Sequence, residues 1–258
     1  MKKRVITLEK PLVSVIIPAY NCAGWIQGAV DSALKQDMPM EILVINDCSK
    51  ENLDHAMEKY KSDERVRYIH NTVNLGAAGT RNRGVQLAKG DYIAFLDADD
   101  LWRERKLKKQ WQMLQDTGCV LCATGRELMT PEGKPTGRVF TVKERIRYRD
   151  LLRGNTIACS SVMMKTEVAR QFPMHHDKDS HEDYIMWLEI LNRYREVCAI
   201  NEPLLVYRLS NTGKSGSKWQ SAAMTFRVYR YMGFGLGKSF LCFGSYALHG
   251  IWKYFIKK

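Results

Sequence analysis

After Glu202 the chain contains no acidic residue, while nine basic ones follow it: Arg208, Lys214, Lys218, Arg227, Arg230, Lys238, Lys253, Lys257 and Lys258. The whole protein has 258 residues and a net charge of +12, from 40 Lys and Arg against 28 Asp and Glu. Setting those nine aside leaves 31 basic groups against 28 acidic ones. The excess charge therefore belongs to the C-terminal segment, where it calls for an anionic partner, lipid head groups or nucleic acid. An even, regularly spaced cysteine framework is also missing. The seven cysteines stand at 22, 48, 119, 122, 159, 198 and 242, and Met1–Lys10 has too few apolar residues for a signal sequence. Together these predict reduced thiols in a cytoplasmic protein. Cys119-Val-Leu-Cys122 has metal-like spacing but no second pair, and a closed zinc site needs four ligands.

Two phosphate-binding fingerprints are absent as well. Where a dinucleotide fold places G-x-G-x-x-G after its first strand, this chain has Pro18-Ala19-Tyr20. Gly213-Lys214-Ser215 lacks the first glycine of a P-loop, since Arg208 stands at that position. Hydride transfer and P-loop phosphoryl transfer are thereby disfavoured.

What is present is an alternation of strand-like and helix-like segments. Val13-Ser-Val-Ile-Ile17, Glu41 to Asn46, Val66 to Ile69 and Tyr92 to Leu96 are apolar runs of strand length. Between them, apolar residues recur at helical spacing from Trp25 to Leu34, at Leu53, Met57 and Tyr60, and through Val85 and Leu87. This rhythm predicts an α/β fold with a mostly parallel central sheet flanked by helices. The strand ends carry polar groups: Tyr20 and Asn21, then Asp47, then Asp97 and Asp99. Open α/β sheets bind ligands at that edge. Asp97-Ala-Asp99-Asp100 crowds three carboxylates there, which repel one another unless a cation sits among them. A divalent metal with oxygen ligands, Mn²⁺ or Mg²⁺, would answer that and would also hold substrate phosphates. A plain helix cap is the competing account of the same aspartates.

Beyond Leu101 the pattern predicts a helix to Gln115, with Trp102, Leu107, Trp111 and Leu114 inward and the cations Arg103 to Lys109 as its solvated face. No nucleic-acid partner is expected there. Cys119 to Gly125 predicts a strand, Thr130 to Pro135 a hairpin loop, and Val142 to Leu152 a short basic helix. His181-Glu182-Asp183-Tyr184 opens a further helix, where acidic residues also complement the macrodipole. His175, His176 and His181 suit a polar loop better than a metal site. Leu204 to Val206 is strand-like and leads into Tyr207-Arg208. Trp219 to Met232 and Lys238 to Lys258 predict two helices around Gly233-Phe-Gly235-Leu-Gly237. The apolar stretch Phe240 to Ile256 would be about 25 Å long, short of the roughly 30 Å hydrocarbon core, and it contains His249 and Lys253. It suits a helix lying in a membrane interface better than a spanning one.

Four segments, Val13 to Asn21, Asn46-Asp47, Asn74-Leu-Gly76 through Arg81-Asn82-x-Gly84, and Asp97 to Trp102, together resemble family-2 inverting glycosyltransferases. The resemblance runs over about residues 12 to 210. It implies a GT-A fold, Rossmann-like, with a C-terminal amphipathic helical extension. Among such enzymes the chain is similar to bacterial ones that build surface polysaccharide such as O-antigen, capsule or teichuronic acid. By position the resemblance implies that Pro18 and Tyr20, beside Asn21, shape a uracil pocket and that Asp47 accepts the uracil N–H. It implies Arg81 near the base and phosphates, Asp97 on the ribose, Asp99 on the metal of the diphosphate, and Asp183 as the catalytic base. A Gln-x-x-Arg-Trp segment, which gates processive synthesis in some relatives, is absent here, which favours transfer of one sugar per encounter. The implied organisation is a catalytic domain over 1–212, with a donor half at about 12–117 and an acceptor half at about 118–212, followed by a membrane-association segment over 213–258. The expected ligands are a UDP-sugar donor, a lipid-linked saccharide acceptor and an anionic membrane surface at the inner face of the cell membrane. A sugar nucleotidylyltransferase and a non-catalytic basic adaptor are the alternatives. The first is disfavoured by Pro18-Ala19-Tyr20-Asn21, where it needs a Gly-rich basic loop, and the second leaves the strand-end carboxylates without a purpose.

Overall fold

The computed structural model describes residues 12–175, 181–209 and 218–255, with only the backbone for 218–219 and 248–255. Met1–Lys10, His176 and Gly213-Lys214-Ser215 lie outside the described residues. The donor half runs β1 (Val13–Ala19), α1 (Ile26–Leu34), β2 (Met40–Asn46), α2 (Leu53–Met57), β3 (Val66–His70), α3 (Gly76–Leu87) and β4 (Tyr92–Phe95). There follow β5 (Leu101–Trp102), α4 (Lys106–Thr117), β6 (Leu121–Met129), β7 (Pro135–Phe140), β8 (Arg145–Arg147), α5 (Tyr148–Leu152), β9 (Met163–Lys165), α6 (Thr166–Gln171), α7 (Glu182–Tyr194) and β10 (Glu196–Arg208). The tail adds α8 (Lys218–Tyr231) and α9 (Leu236–Phe255).

β1 and β2 are buried along almost their whole length, as strands covered on both faces must be. Successive side chains of a strand point to opposite faces, and the core divides accordingly. Val13, Val15 and Ile17 pack with Ile26, Ala29 and Val30 of α1. Ile16, Leu43 and Ile45 pack with Ala78 and Val85 of α3 on the other face. Helix α3 comes so near that a β-carbon on Gly84 would lie 2.5 Å from the Ile16 side chain, so only glycine fits there.

The sheet order is β3-β2-β1-β4-β9-β6-β10-β5, with β7 on β6 and β8 on β10. The first four strands are parallel. Chain order reverses between β1 and β4, and such a reversal opens a crevice at the carboxyl ends of the strands. β9 is antiparallel to both β4 and β6, so β6, and β10 which is parallel to it, run in the direction of β4. The carboxyl end of β10 therefore reaches the same edge as Asp97 and Asp99, although it lies about a hundred residues later in the chain.

Three local expectations are corrected. Leu101 and Trp102 are not the start of a helix. They pair with Val206 and Leu205 as the short strand β5, and Arg105, at φ 63°, separates them from α4. Lys106 is not on a solvated face. It is fully buried, donates to Gln110 Oε1 at 2.8 Å and sits 4.1 Å over the Trp102 ring; burial pushes its amine down to about 7. Val142 to Leu152 is a short strand and a five-residue helix, β8 and α5, because Ile146 is drawn into pairing with Val197 of β10. The hairpin expected at Thr130 to Pro135 joins β6 to β7, and the helix expected at His181 is α7.

Candidate active site

One end of the sheet edge is organised by Asp47 at the end of β2. Its Oδ1 accepts from Asn71 Nδ2 at 2.6 Å and from the Leu75 N–H at 2.8 Å. Its Oδ2 accepts from the Gly76 N–H at 2.8 Å, and Gly76 adopts φ 70° to present it. The 71–76 loop is thus pinned against the end of β1, where the Asp47 N–H reaches the Ala19 carbonyl at 2.8 Å. Among the described residues Oδ2 thus accepts one hydrogen bond and Oδ1 two. Asn21, at φ 49°, ties the β1 loop to the β2 loop: its N–H donates to Ser49 Oγ at 3.1 Å and its Oδ1 accepts from the Lys50 N–H at 2.9 Å. Pro18 stays within β1, opposite Ile45. Around this anchor Tyr20 and Leu75 remain open, at 47% and 37% exposure. Apolar side chains left uncovered beside a pinned acceptor suit a flat heterocycle with an N–H edge.

The second cluster is at the end of β4. The Asp97 N–H donates to Ser160 Oγ at 3.0 Å, and the Ser160 carbonyl accepts from Trp102 Nε1 at 2.8 Å. Asp100 is buried; its Oδ1 accepts the Arg208 N–H at 2.9 Å, while its Oδ2 finds no hydrogen-bond partner among the described residues. Arg208 also donates from Nε to the Asp99 carbonyl at 2.9 Å and from Nη1 to the Pro131 carbonyl at 2.8 Å. Its guanidinium lies 5.9 Å from the centre of the Trp25 ring. Burial, and then the charge of Asp97, raise the Asp99 carboxyl above its ordinary range, with Arg208 and Arg81 acting the other way. Burial and the same two neighbouring carboxylates raise Asp100 further.

Arg81 is the residue whose placement the sequence does not reveal. It is 6% exposed, inside the protein. Its Nη2 donates to Asp97 Oδ1 at 2.5 Å and its Nη1 to Glu182 Oε1 at 3.4 Å. Burial opposes its charge, but Asp97 first, then Cys159 and Glu182, hold the guanidinium firmly protonated. Glu182 opens α7, and Asp183 follows it in the same turn. The Asp183 carboxylate accepts the Tyr184 N–H at 2.7 Å. Burial, and then repulsion from Glu182, raise Asp183 to about 6, against the pull of His181 and Arg81.

The expected residues thus form two groups, Pro18, Tyr20, Asn21 and Asp47 at one end of the edge and Arg81, Asp97, Asp99 and Asp183 at the other. Arg208 and Ser160 belong to the second group without having been singled out. In the sequence Tyr207-Arg208 matches a Tyr-Arg element that follows the sheet in the family it resembles, without a role assigned to it; its pairing with the acidic loop depends on β10 crossing to that edge. An open hollow of about 470 Å³, lined by Lys89, Asp91, Lys165 and Arg170 among others, contains none of these groups.

Comparison with known proteins bears on this arrangement. Residues 14–171 match the family Glycosyl transferase family 2. The chain is 36% identical over 247 residues to a protein of Bacillus subtilis named as a teichuronic acid biosynthesis glycosyltransferase, TuaG, covering 95% of this chain and 98% of the other. It is 34% identical over 246 residues to the Escherichia coli UDP-Glc:alpha-D-GlcNAc-diphosphoundecaprenol beta-1,3-glucosyltransferase WfaP, covering 94% and 95%. Among solved structures, S. aureus TarS 1-349 in complex with UDP-GlcNAc superposes with a TM-score of 0.73 at 16% identity, covering 94% of this chain and 73% of that one. The mannosyltransferase PcManGT from Pyrobaculum calidifontis, in complex with GDP-Man and Mn²⁺, gives 0.64 at 21% identity, covering 88% and 65%. These two likenesses establish the GT-A-like fold.

Proposed function

The chain belongs to glycosyl transferase family 2, and from that membership we propose that it transfers a sugar from a UDP-sugar to a hydroxyl of a lipid-linked saccharide, with inversion, during assembly of a bacterial surface polysaccharide. One observation carries the reading: the acidic strand end and the helix bearing Asp183 meet on a single guanidinium, that of Arg81. A donor site and a proton acceptor are thereby held at one edge of the sheet. WfaP, similar over nearly its full length, is named for a UDP-Glc donor and a diphosphoundecaprenol-linked acceptor, which supports the UDP-sugar and the lipid-linked acceptor; TuaG supports the surface polysaccharide.

In this reading the uracil lies by Tyr20, and its N–H is accepted by the Asp47 carboxylate. Asp97 faces the ribose. Inversion requires one displacement at the anomeric carbon. Asp183 takes the proton from the attacking acceptor hydroxyl, and a carboxyl raised to about 6 is a stronger base than an ordinary aspartate while still ionised at neutral pH. Among the described residues no three His, Cys, Asp or Glu side chains are arranged to enclose a metal ion. Carboxylate alone, without imidazole or thiolate, nonetheless fits a hard cation that takes most of its ligands from phosphate and water. The crowding that raises Asp99 is a charge deficit such a cation would relieve. Asp99 would hold Mn²⁺ or Mg²⁺, which when bound neutralises charge on the departing diphosphate.

The tail adds a membrane-facing element. No helix among the described residues is long and apolar enough to cross a membrane. Leu236, Phe240 and Leu241 of α9 are 62%, 62% and 77% exposed, beside Lys238 and close in sequence to Arg227 and Arg230. An exposed apolar face with neighbouring cations suits an anionic lipid surface. The test is a screen of nucleotide sugars for release of the free nucleotide with Mn²⁺ or Mg²⁺, together with calorimetry of UDP, CDP and GDP. UDP should bind tightest, because cytosine lacks the N–H that Asp47 accepts. Equal affinity for all three, or formation of pyrophosphate, would remove the basis for a UDP-sugar transferase.

A further inference from the structure

Arg81 has an unusual pair of duties for a buried cation. Its two terminal nitrogens are divided between Asp97, at the end of β4, and Glu182, at the start of α7, residues 85 positions apart in the chain. Nη1 also lies 3.8 Å from Met174 Sδ, and Nε is buried without a partner among the described residues. The neighbouring Asn82 fastens the same helix to the segment before α7: its Nδ2 donates to the Met174 carbonyl at 2.7 Å, and the Met174 N–H donates to its Oδ1 at 2.9 Å. Helix α3 is in turn held on the sheet by the close contact at Gly84. A planar guanidinium presents its donors in a fixed fork, so satisfying both carboxylates sets the distance between the acidic loop and the first turn of α7.

We infer that Arg81 is a positioning residue, acting on catalysis through Asp97 and Glu182 and not by touching the nucleotide. It fixes the base-bearing turn of α7 relative to the donor site, and its charge moderates the repulsion that Glu182 exerts on Asp183. The inference rests on the assignment of Asp183 as base. The groups facing Asp183 are Glu182 and His181 beside it in sequence, Arg81 on α3, and the buried Cys159 thiol. Their signs make the idea testable. Removing the guanidinium charge should raise the Asp183 pKa, whereas removing the Glu182 charge should lower it.

The experiment uses the full-length protein and three variants, Arg81→Lys, Arg81→Met and Glu182→Gln. The Asp183 carboxyl is titrated by ¹³C NMR, its resonance identified by its loss in Asp183→Asn, and affinity for UDP is measured by calorimetry. Glu182→Gln keeps the side-chain shape and leaves Arg81 paired to Asp97, so it remains informative if Arg81→Met fails to fold. The expected results are a downward shift in Glu182→Gln, an upward shift in Arg81→Met, and a titration near wild type in Arg81→Lys, which keeps the charge. UDP affinity should stay within about threefold in each, while transfer falls about 10- to 100-fold in Arg81→Lys through misplacement of the base. An unmoved Asp183 titration together with a loss of UDP affinity of about tenfold or more would overturn the inference and make Arg81 a donor contact. Full transfer by Asp183→Asn would instead refute the assignment of the base, a separate failure.

Discussion

The two tail helices are similar in composition and opposite in placement. Both come from the segment without acidic residues, and both carry aromatics and cations. Yet α8 is built into the catalytic domain: Met224, Val228 and Tyr229 are buried, and the last two share a core with Tyr184 and Trp187 of α7. The Tyr229 hydroxyl donates to the Leu152 carbonyl at 2.8 Å, and its ring meets that of Tyr184 edge-on at 6.4 Å. His181, which precedes α7, lies 3.3 Å from the Ser221 carbonyl. Helix α9 rests on α8 through Phe240 and Phe243 against Phe226, while Leu236, Phe240 and Leu241 stay largely exposed. α8 thus braces the helix that holds Asp183, whereas α9 packs on the core only partly, through Cys242 and Phe243, and leaves its outer apolar residues uncovered. Amphipathic character does not distinguish a brace from a docking surface. What each apolar face finds within reach does.

The largest effect should come from the braced helix itself. Asp183→Asn should lower transfer by about 10²- to 10⁴-fold in steady-state assays while UDP affinity, measured by calorimetry, is retained. In the wild type the acidic limb of the pH–rate profile should lie near 6. The same carboxyl has a stability consequence. Its folded pKa is raised above the ordinary 3.8, so the folded state holds the proton more tightly. Its contribution to stability is complete below 3.8 and is lost as the pH rises through 6. Asn carries no such dependence, so the melting temperature of Asp183→Asn relative to wild type should climb between pH 4 and 7. A constant difference would mean that Asp183 is not desolvated.

Contrasting truncations of the two aromatic faces sharpen the comparison. Tyr229→Ala opens a cavity against α7 and should cost about 3–5 kcal/mol in chemical denaturation. Phe240→Ala should cost well under half of that, since most of the ring is already in solvent. Equal costs would mean that α9 is as integral as α8. For function the order should reverse. Phe240→Glu with Leu241→Glu should abolish the salt-resistant part of binding to anionic liposomes in a flotation assay, with little change in stability or UDP affinity. Unchanged flotation would remove the membrane role of α9. The smallest effect expected is that of Tyr229→Phe, which leaves the Leu152 carbonyl unpaired and should cost about 1 kcal/mol.

The first half of the chain was legible in the sequence because β1, β2 and β4 are buried strands that read as continuous apolar runs whatever they pair with, while helical spacing of apolar residues records the helices between them. Val13–Ile17, Glu41–Asn46 and Tyr92–Leu96 needed no tertiary information to be recognised as strands. Leu101-Trp102 was misread because its inward Trp102 also fits a helical stripe running to Leu114. The pairing that makes it a strand comes from Leu205 and Val206, about a hundred residues later. Lys106 was misread for a related reason. A lysine among five other charged residues looks solvated, and only the Trp102 ring and Gln110 provide a place to bury it.

The sequence by itself determined the α/β class, the order of the parallel strands' polar ends, the position of the basic excess and the family. These follow from local periodicity, composition and short motifs, which a chain carries with it before it folds. Tertiary structure alone decided that Arg81 joins Asp97 to Glu182, that Arg208 secures the acidic loop, and that α8 is core while the start of α9 leaves Leu236, Phe240 and Leu241 exposed. Each of these depends on which distant segments share a sheet edge or a helix face. Burial then changes the chemistry as well as the position, since the same carboxyl that is an ordinary aspartate in the unfolded chain is raised, beside Glu182 at the start of α7, to about 6.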